Sequence, residues 1–363
     1  MPVWRRRGQG VRRPATDARR RRPRHRDLGP LRRPGPRRGV ARQPIPAGAL
    51  LPGIPGSLNL RHPEACAALA KQAASEGTQV LQGVADVTVT PGRVLQVSAT
   101  GPGGQQVEFR PRLVIGADGR HSTVRRQSGI TLLRHEATHM IAGVLVDGLA
   151  DLDLQHDWLA TSDDLFMASF RQRHGQVRLY LVTGMAEKSR FAGHGGLAEF
   201  MRSANFGCLP FGERLATANP IGPLATYPGD DTVAARPFVD GVVLIGDAAG
   251  HNSPITGQGL SIALRDARSI RDAIRSGDDL TAAFASYAEE RLERLRRLRT
   301  NAIVTAAMAA DDCDNSIARR AKFFELLQTD PMTFAMLVTM FTGPETAPPE
   351  AYDDRLLETI VAA

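Results

Sequence analysis

Residues Gly241–Ala267, GVVLIGDAAGHNSPITGQGLSIALRDA, decide how the rest of the chain is read. Val242–Ile245 is an unbroken apolar run, the pattern of a buried strand. It ends in Gly246-Asp247. A loop with Pro254, Gly257 and Gly259 follows, then a helix with apolar residues at Leu260, Ala263, Leu264, Ala267 and Ile270. A strand with an acid at its tip, a glycine turn and a helix start form a site for a polar, polyhydroxylated cofactor. The carboxylate accepts hydrogen bonds from hydroxyls. The glycines let backbone N–H groups approach a flat or anionic group, and the helix N-terminus adds positive potential.

The spacing Gly-Asp, six residues, Pro, two residues, Gly, one residue, Gly resembles the second flavin-binding motif of the FAD-dependent monooxygenases of the aromatic-hydroxylase (class A flavoprotein) type. The resemblance implies that Asp247 contacts the ribityl chain and that Pro254, Gly257 and Gly259 lie against the isoalloxazine ring. Gly246 then allows close approach, and Leu260 joins the cofactor-binding set at the helix start. Two positions depart from the family pattern. Gly250 stands where the family often has His, and Ser261 where it often has Asn. His251 is expected to be an exposed loop residue.

The resemblance runs from about Leu51 to Leu298. Within it, RPRLVIGADGRHSTVRRQSGI contains a short buried strand, Leu113–Ile115, a tight turn over Gly116–Gly119, and Ser122 as the N-cap of the next helix. The positions Asp118, Gly119, Ser122 and Arg125 resemble the family's Asp-Gly motif, which implies contact with FAD and NAD(P)H. There the carboxylate of Asp118 would fix a loop near the pyrophosphate. Upstream, Pro63 suits a helix first turn, Gly77 its stop, and Leu69, Ala70 and Ala73 one apolar face. Arg61 matches a family Arg that reaches the flavin from this helix start. Its charge is poorly placed for the helix dipole, which favours a ligand role.

Charge is unevenly spread. The total is +8, but residues 1–43 hold 16 Arg, no Lys and two Asp, so the remaining chain is mildly acidic. Residues 1–43 show almost no apolar periodicity and many Pro and Gly, and are expected to be disordered. A basic arm for nucleic acid or anionic membrane, a plain solvated tail, and sequence foreign to the fold are its alternatives. The last is favoured, because the family opens with a strand, GxGxxG and a helix that hold the ADP half of FAD. Gly8-Gln9-Gly10 does not match that unit. No stretch approaches a membrane helix, and nucleic acid is an unlikely partner for the acidic body. Cys66, Cys208 and Cys313 have no CxxC spacing, so neither a disulfide framework nor a metal site is expected, and a cytoplasmic location follows.

Residues 78–90, 94–99 and 106–110 alternate as hairpin strands, and residues 140–146, 165–170 and 177–183 as antiparallel strands. His135, His139 and His156 have no metal-ligand spacing and are expected to be structural or exposed. Tyr227-Pro228 either lines the substrate site or packs in the core. Leu280–Ala306 reads as a helix whose Glu289, Glu290, Glu293, Arg291, Arg294, Arg296 and Arg297 form a solvated face. Met332, Met336 and Met340 recur at helical spacing and are expected to pack helices.

The expected fold is α/β. A Rossmann-like FAD-binding domain, incomplete at the N-terminus, spans 44–130 and 229–300. An antiparallel substrate-binding sheet occupies 131–228, and helices 301–363. The resemblance implies an FAD-dependent monooxygenase that uses NAD(P)H and O2 on a small aromatic or electron-rich substrate, with no nameable catalytic side chain. A homo-oligomer is compatible with the sequence. The alternatives are a chain of this type unable to retain FAD, and another FAD-dependent oxidoreductase of the same fold.

Overall fold

Alternation decides which way the larger sheet faces. The computed structural model describes residues 40–42, 53, 58–92, 94–152, 157–162, 164–277, 279–309 and 313–361. In chain order its elements begin with β1 (Val40–Arg42), α1 (His62–Ser75), β2 (Ala85–Thr90), β3 (Gln96–Thr100), β4 (Gln106–Phe109), β5 (Val114–Gly116), α2 (Thr123–Gln127) and β6 (Leu133–His135). Then come β7 (His139–Asp147), β8 (Trp158–Ser162), β9 (Leu165–Arg171), β10 (Val177–Gly184), α3 (Gly196–Ser203), α4 (Gly212–Thr217), β11 (Asn219–Pro220), β12 (Ala225–Pro228) and β13 (Asp231–Val233). The chain continues through β14 (Phe238–Val239), β15 (Val242–Leu244), α5 (Gly259–Ser276), α6 (Leu280–Ala309), α7 (Cys313–Thr329), α8 (Pro331–Thr342) and α9 (Asp354–Val361).

The antiparallel sheet has the order β1-β8-β9-β10-β7-β11, with β12 also paired to β7. Side chains of a strand alternate between faces. Ala142, Val144 and Val146 of β7 therefore share one face with Val177, Leu179 and Leu181 of β10. That face packs against Phe200 and Met201 of α3, Phe206, and Leu215 of α4 in the main core. Burying each such large side chain contributes roughly 1.5–3 kcal/mol. The opposite face carries Ile141, Val182, Phe166, Tyr180 and Tyr227, against which Ile255 packs. Tyr180 lies over Gly143 across the β10–β7 pair, where a Cβ would meet its ring at 2.6 Å. Glycine there lets the aromatic ring lie flat on the sheet.

The second layer system is built on β14-β15-β5. β15 runs parallel to β5 in register Leu244↔Gly116, the one parallel pair among the described residues. Val242 and Leu244 face Val89, Leu95 and Val124 of the β2-β3-β4 meander and α2. Val243 faces Ile270 of α5 with Phe284, Tyr287 and Ala288 of α6. A parallel strand buried on both faces explains the unbroken apolar run of Val242–Ile245. The α/β class and the separate antiparallel sheet are as the sequence implies.

Several expectations change. Val40–Arg42, assigned to the disordered segment 1–43, pairs antiparallel with β8 and extends the large sheet. The rest of that segment, Gly8-Gln9-Gly10 included, and His156 lie outside the described residues. The strand expected over 78–90 starts only at Ala85, because Gly83 has φ +70 and interrupts extended backbone. α1 buries no residue, and Leu69 is 58% exposed, so its expected apolar face is not buried. α6 runs through the boundary expected at 300 without a break. The methionine-bearing segment divides at Asp330-Pro331, where the Asp330 carboxylate caps α8 by accepting from the N–H groups of Met332 and Thr333. Met336 is buried there beside Met332, so the packing role holds.

Candidate functional site

The Gly246–Gly250 turn is held from three helices and a strand. The N–H of Ile245 donates to Gly116 O at 2.9 Å, which ties the turn to β5. Asp266 of α5 is fully buried and accepts from the N–H of Gly246 at 2.8 Å. Arg291 of α6 donates through Nε to Asp266 at 2.8 Å, through Nη1 to Ala249 O at 3.1 Å, and through Nη2 to Gly246 O at 3.0 Å and Gly250 O at 2.8 Å. Arg294 donates to the second oxygen of Asp266 at 2.7 Å. From α2, Arg125 donates to Ala248 O at 3.0 Å and to Arg120 O at 3.0 Å. Every nitrogen of the Arg291 fork is thus engaged with the turn or with its anchor.

Glycine is required at both ends of this turn. Gly246 has φ +56 and approaches Ala263 of α5, and Gly250 has φ +116 with a Cβ position 2.4 Å from Thr232 O. An L side chain fits neither conformation comfortably. Because its neighbours' carbonyls are engaged, the turn leaves the Asp247 carboxylate facing outward. Its partner is the Arg120 guanidinium, with Nε at 3.4 Å, and both side chains are more than a third exposed. Such an ion pair contributes about 0–1 kcal/mol and is readily exchanged for ligand hydroxyls.

Asp118 follows β5, the parallel partner of β15, and lies two residues before Arg120, but its carboxylate is used locally. It accepts from the Ser122 hydroxyl and from the N–H groups of Thr123 at 2.6 Å and Val124 at 3.1 Å. Burial opposes ionisation, yet these hydrogen bonds outweigh it and hold the carboxyl below its usual range. Ser122 caps α2 by accepting from Arg125 N–H. Asp118 therefore fixes a loop, and Gly119, at φ +78, leaves open space above it.

The downstream loop begins at Asn252. Ser253 caps a short 3-10 turn over Pro254–Thr256, Gly257 closes it in the left-handed region at φ +69, and Gly259 opens α5. Gln258 donates to Met340 O of α8 at 2.7 Å and anchors the loop from below. Leu260 is 49% exposed at the helix start. Gly246 and Asp247 thus lie on the turn, Pro254 and Gly257 on the loop that follows it, and Gly259 and Leu260 at the start of α5, while Asp118 and Gly119 lie on the loop after β5, the parallel partner of β15. Arg61 stands at the N-cap of α1 and pairs with Glu64 at 3.1 Å, half-exposed.

Two readings of single residues are corrected. His251 is 7% exposed, not a surface loop residue. Backbone bonds from Thr232 N to His251 O and Ala234 N to Ala249 O pull this stretch alongside β13. The ring then meets Thr232 Oγ1 at 2.9 Å and Asp230 at 3.4 Å. Burial and the nearby Arg120 push its pKa down, against the pull of Asp230. Arg291 and Arg294 are 1% and 6% exposed, so the face expected to be solvated carries the turn's anchor. The signal was present. Arg291 falls in the stripe Phe284, Tyr287, Ala288, Leu295, Leu298, and Asp266 lies four residues from both Ile262 and Ile270, all buried. A charge inside an apolar stripe marks a buried pair.

Across from the loop, burial lifts the Tyr227 phenol to about 12, so it stays protonated and can donate. His139, on the same sheet face as Ile141, is 1% exposed, and burial lowers its pKa to about 4. Among the described residues no group of His, Cys, Asp and Glu is arranged to hold a metal ion, and no helix is long and apolar enough to cross a membrane.

A family model described as FAD binding domain matches residues 56–302. Violacein synthase of Chromobacterium violaceum is 29% identical over 60% of this chain and 53% of its own. The ubiquinone hydroxylase UbiL of Rhodospirillum rubrum is 29% identical over 62% of this chain and 52% of its own. The chain spans about half the length of such curated relatives. Among solved structures, the anhydrotetracycline hydroxylase OxyS of Streptomyces rimosus aligns over 89% of this chain and 62% of its own, with TM-score 0.59 and 18% identity. The flavin-dependent halogenase CmlS aligns over 89% and 64%, with TM-score 0.66 and 16% identity. At these identities the structures establish the fold.

Two outcomes follow. Asp266→Ala strands two buried guanidinium groups and should cost about 3–5 kcal/mol of unfolding free energy in a urea titration. A loss below about 1 kcal/mol would mean the network does not hold the turn. His139 has a folded pKa of about 4 against 6.5 for the free side chain, so between these values the unfolded chain binds more protons. Its stabilisation is complete above pH 6.5 and is lost as pH falls towards 4, by up to about 3 kcal/mol. Urea titrations across this range should show a flatter slope for His139→Leu than for the parent chain. An identical slope would refute the assignment.

Proposed function

The chain belongs to the FAD-binding domain family, and we propose that it is an FAD-dependent monooxygenase that hydroxylates a small aromatic or electron-rich substrate with NAD(P)H as reductant. One observation carries this reading. The buried Arg291–Asp266 anchor consumes the polar backbone of the Gly246–Gly250 turn and leaves a half-exposed Asp247 carboxylate at the tip of a parallel strand. That is the chemistry a ribityl chain requires: an acceptor for several hydroxyls, fixed before the ligand arrives.

The residues fit FAD on its ribityl and ring side. Asp247 would accept from the ribityl hydroxyls and release Arg120. Pro254 and the N–H groups around Gly257 and Gly259 would meet the ring edge, where the left-handed Gly257 keeps the approach free of a side chain. Gly119, on the loop fixed by Asp118, would lie towards the phosphates. Bound FAD supplies the redox chemistry, passing electrons from NAD(P)H to O2 and oxygen to the substrate. The chain's own contribution is to bind, orient and exclude water. Ile141, Phe166, Tyr180, Val182 and Tyr227 offer a flat apolar face opposite Ile255, suited to an aromatic ring. The Tyr227 hydroxyl, kept protonated by burial, would donate to a substrate oxygen.

Purified chain titrated with FAD should become yellow, bind one flavin, bleach with NAD(P)H without air and recover when oxygen is admitted. Asp247→Ala should weaken FAD binding by about tenfold to a hundredfold, the loss of charge-assisted hydrogen bonds worth roughly 1.5–3 kcal/mol. Absence of binding at high micromolar FAD would overturn the proposal.

A further inference from the structure

We propose that His139 is a positioning residue for the ring-side loop, acting through Ser253 to lock that loop to the substrate-facing sheet. The inference rests on the flavin reading above and assigns a function to a buried histidine outside both flavin-binding segments.

Alternation along β7 puts His139 on the face of Ile141, towards Ile255 and the loop. Its Nε2 lies 3.1 Å from Ser253 Oγ, and its Nδ1 lies 3.0 Å from Thr138 Oγ1. Both ring nitrogens are therefore engaged in a site with almost no access to water. The ring rests on Gly229, where a Cβ would come within 2.0 Å of Nε2, and the Gly229 N–H donates to His139 O at 2.8 Å. The imidazole is thus fixed from below by backbone and from the side by Thr138, and Ser253 is the group it can in turn hold.

Ser253 is 3% exposed and begins the turn that carries Pro254. Its hydroxyl accepts from the Ile255 N–H at a long 3.4 Å, while the Gly257 N–H closes the turn on Pro254 O at 2.9 Å. Pro254 has no N–H to add a further bond. Of the two contacts of the Ser253 hydroxyl, the one to His139 is the shorter, and it is the one that reaches the sheet. A neutral imidazole suits the task because it offers one donor and one acceptor, so Thr138 and Ser253 can both be satisfied in a dry site. An imidazolium would have two donors and no acceptor. The apolar contact of Ile255 with Ile141, Val182 and Tyr227 completes the seam but does not fix its register. With the tie intact, the sheet that would carry the substrate and the loop that would carry the ring move as one body. With it cut, the chain still folds, but the distance between the two is no longer set.

Three variants test this: Ser253→Ala, His139→Leu, and His139→Gln, whose amide keeps one donor and one acceptor. Each is first checked for a cooperative thermal melt, and Ser253→Ala carries the test if His139→Leu does not fold. Two measurements follow. Without FAD, the amides of Ile255 and Gly257 should exchange with solvent about fivefold faster in Ser253→Ala and His139→Leu than in the parent chain, the effect of losing one capping bond. With FAD, the same two variants should bind about fivefold more weakly, show a shifted visible band, and form less product per NAD(P)H consumed, while His139→Gln stays within about twofold of the parent. Unchanged loop exchange in Ser253→Ala overturns the positioning role whether or not FAD binds. A parent chain that binds no FAD, with loop exchange raised in the variants, instead overturns the flavin reading and leaves the tie between His139 and Ser253 standing.

Discussion

A single buried carboxylate, Asp266, organises the site. Two guanidinium groups and one backbone N–H converge on it, and Arg291 extends from it to three carbonyls of the turn, those of Gly246, Ala249 and Gly250. Burying these charges is expensive, and an apolar replacement of equal volume is often as stable or more so. What an apolar core could not do is fix the direction of four polar backbone groups at a strand end. The network trades generic stability for one conformation of the turn. Asp247 faces outward because its neighbours' polar groups are all drawn inward.

The rest of the fold serves that turn. The parallel β15–β5 pair delivers it, and its two buried faces set its depth. Asp118 stiffens the neighbouring loop, and Arg125 ties that loop to the turn from the other side. The antiparallel sheet has a distinct task. On β7 the even positions make the core with α3 and α4, and the odd positions make the face that meets the ring-side loop. One strand, β7, therefore links the densest part of the core to the candidate substrate face within a single residue's spacing.

What was legible in the sequence was local. The Gly246-Asp247 turn, Pro254, Gly257 and Gly259, the Ser122 cap and the alternating strands depend on backbone geometry that a few adjacent residues dictate. Gly246 and Gly257 have positive φ, a backbone conformation that favours glycine. What was not legible depends on partners far along the chain. Arg291 reads as one of several arginines among glutamates, and only the packing of α6 on α5 separates it from Arg296, which stays at the surface with Glu293. His251 reads as an exposed loop residue, but its pairing with β13 buries it, and His139, expected to be structural or exposed, is buried against Gly229. Arg61, whose place at a helix start suggests a ligand, pairs in the structure with Glu64 three residues on, both side chains largely exposed.

Asp266 and Arg291 hold the cofactor turn before any ligand arrives, whereas FAD would add contacts to the ring-side loop that His139 already ties to the sheet. Residue-resolved amide hydrogen exchange, with and without FAD, tests this directly. The Gly246 amide, donated to Asp266, should be protected nearly to the level of global unfolding in both states. The amides of Ile255, Gly257 and Gly259 should gain protection only when FAD is added. A Gly246 amide that exchanges freely until FAD binds, or a loop that FAD leaves unchanged, would contradict it.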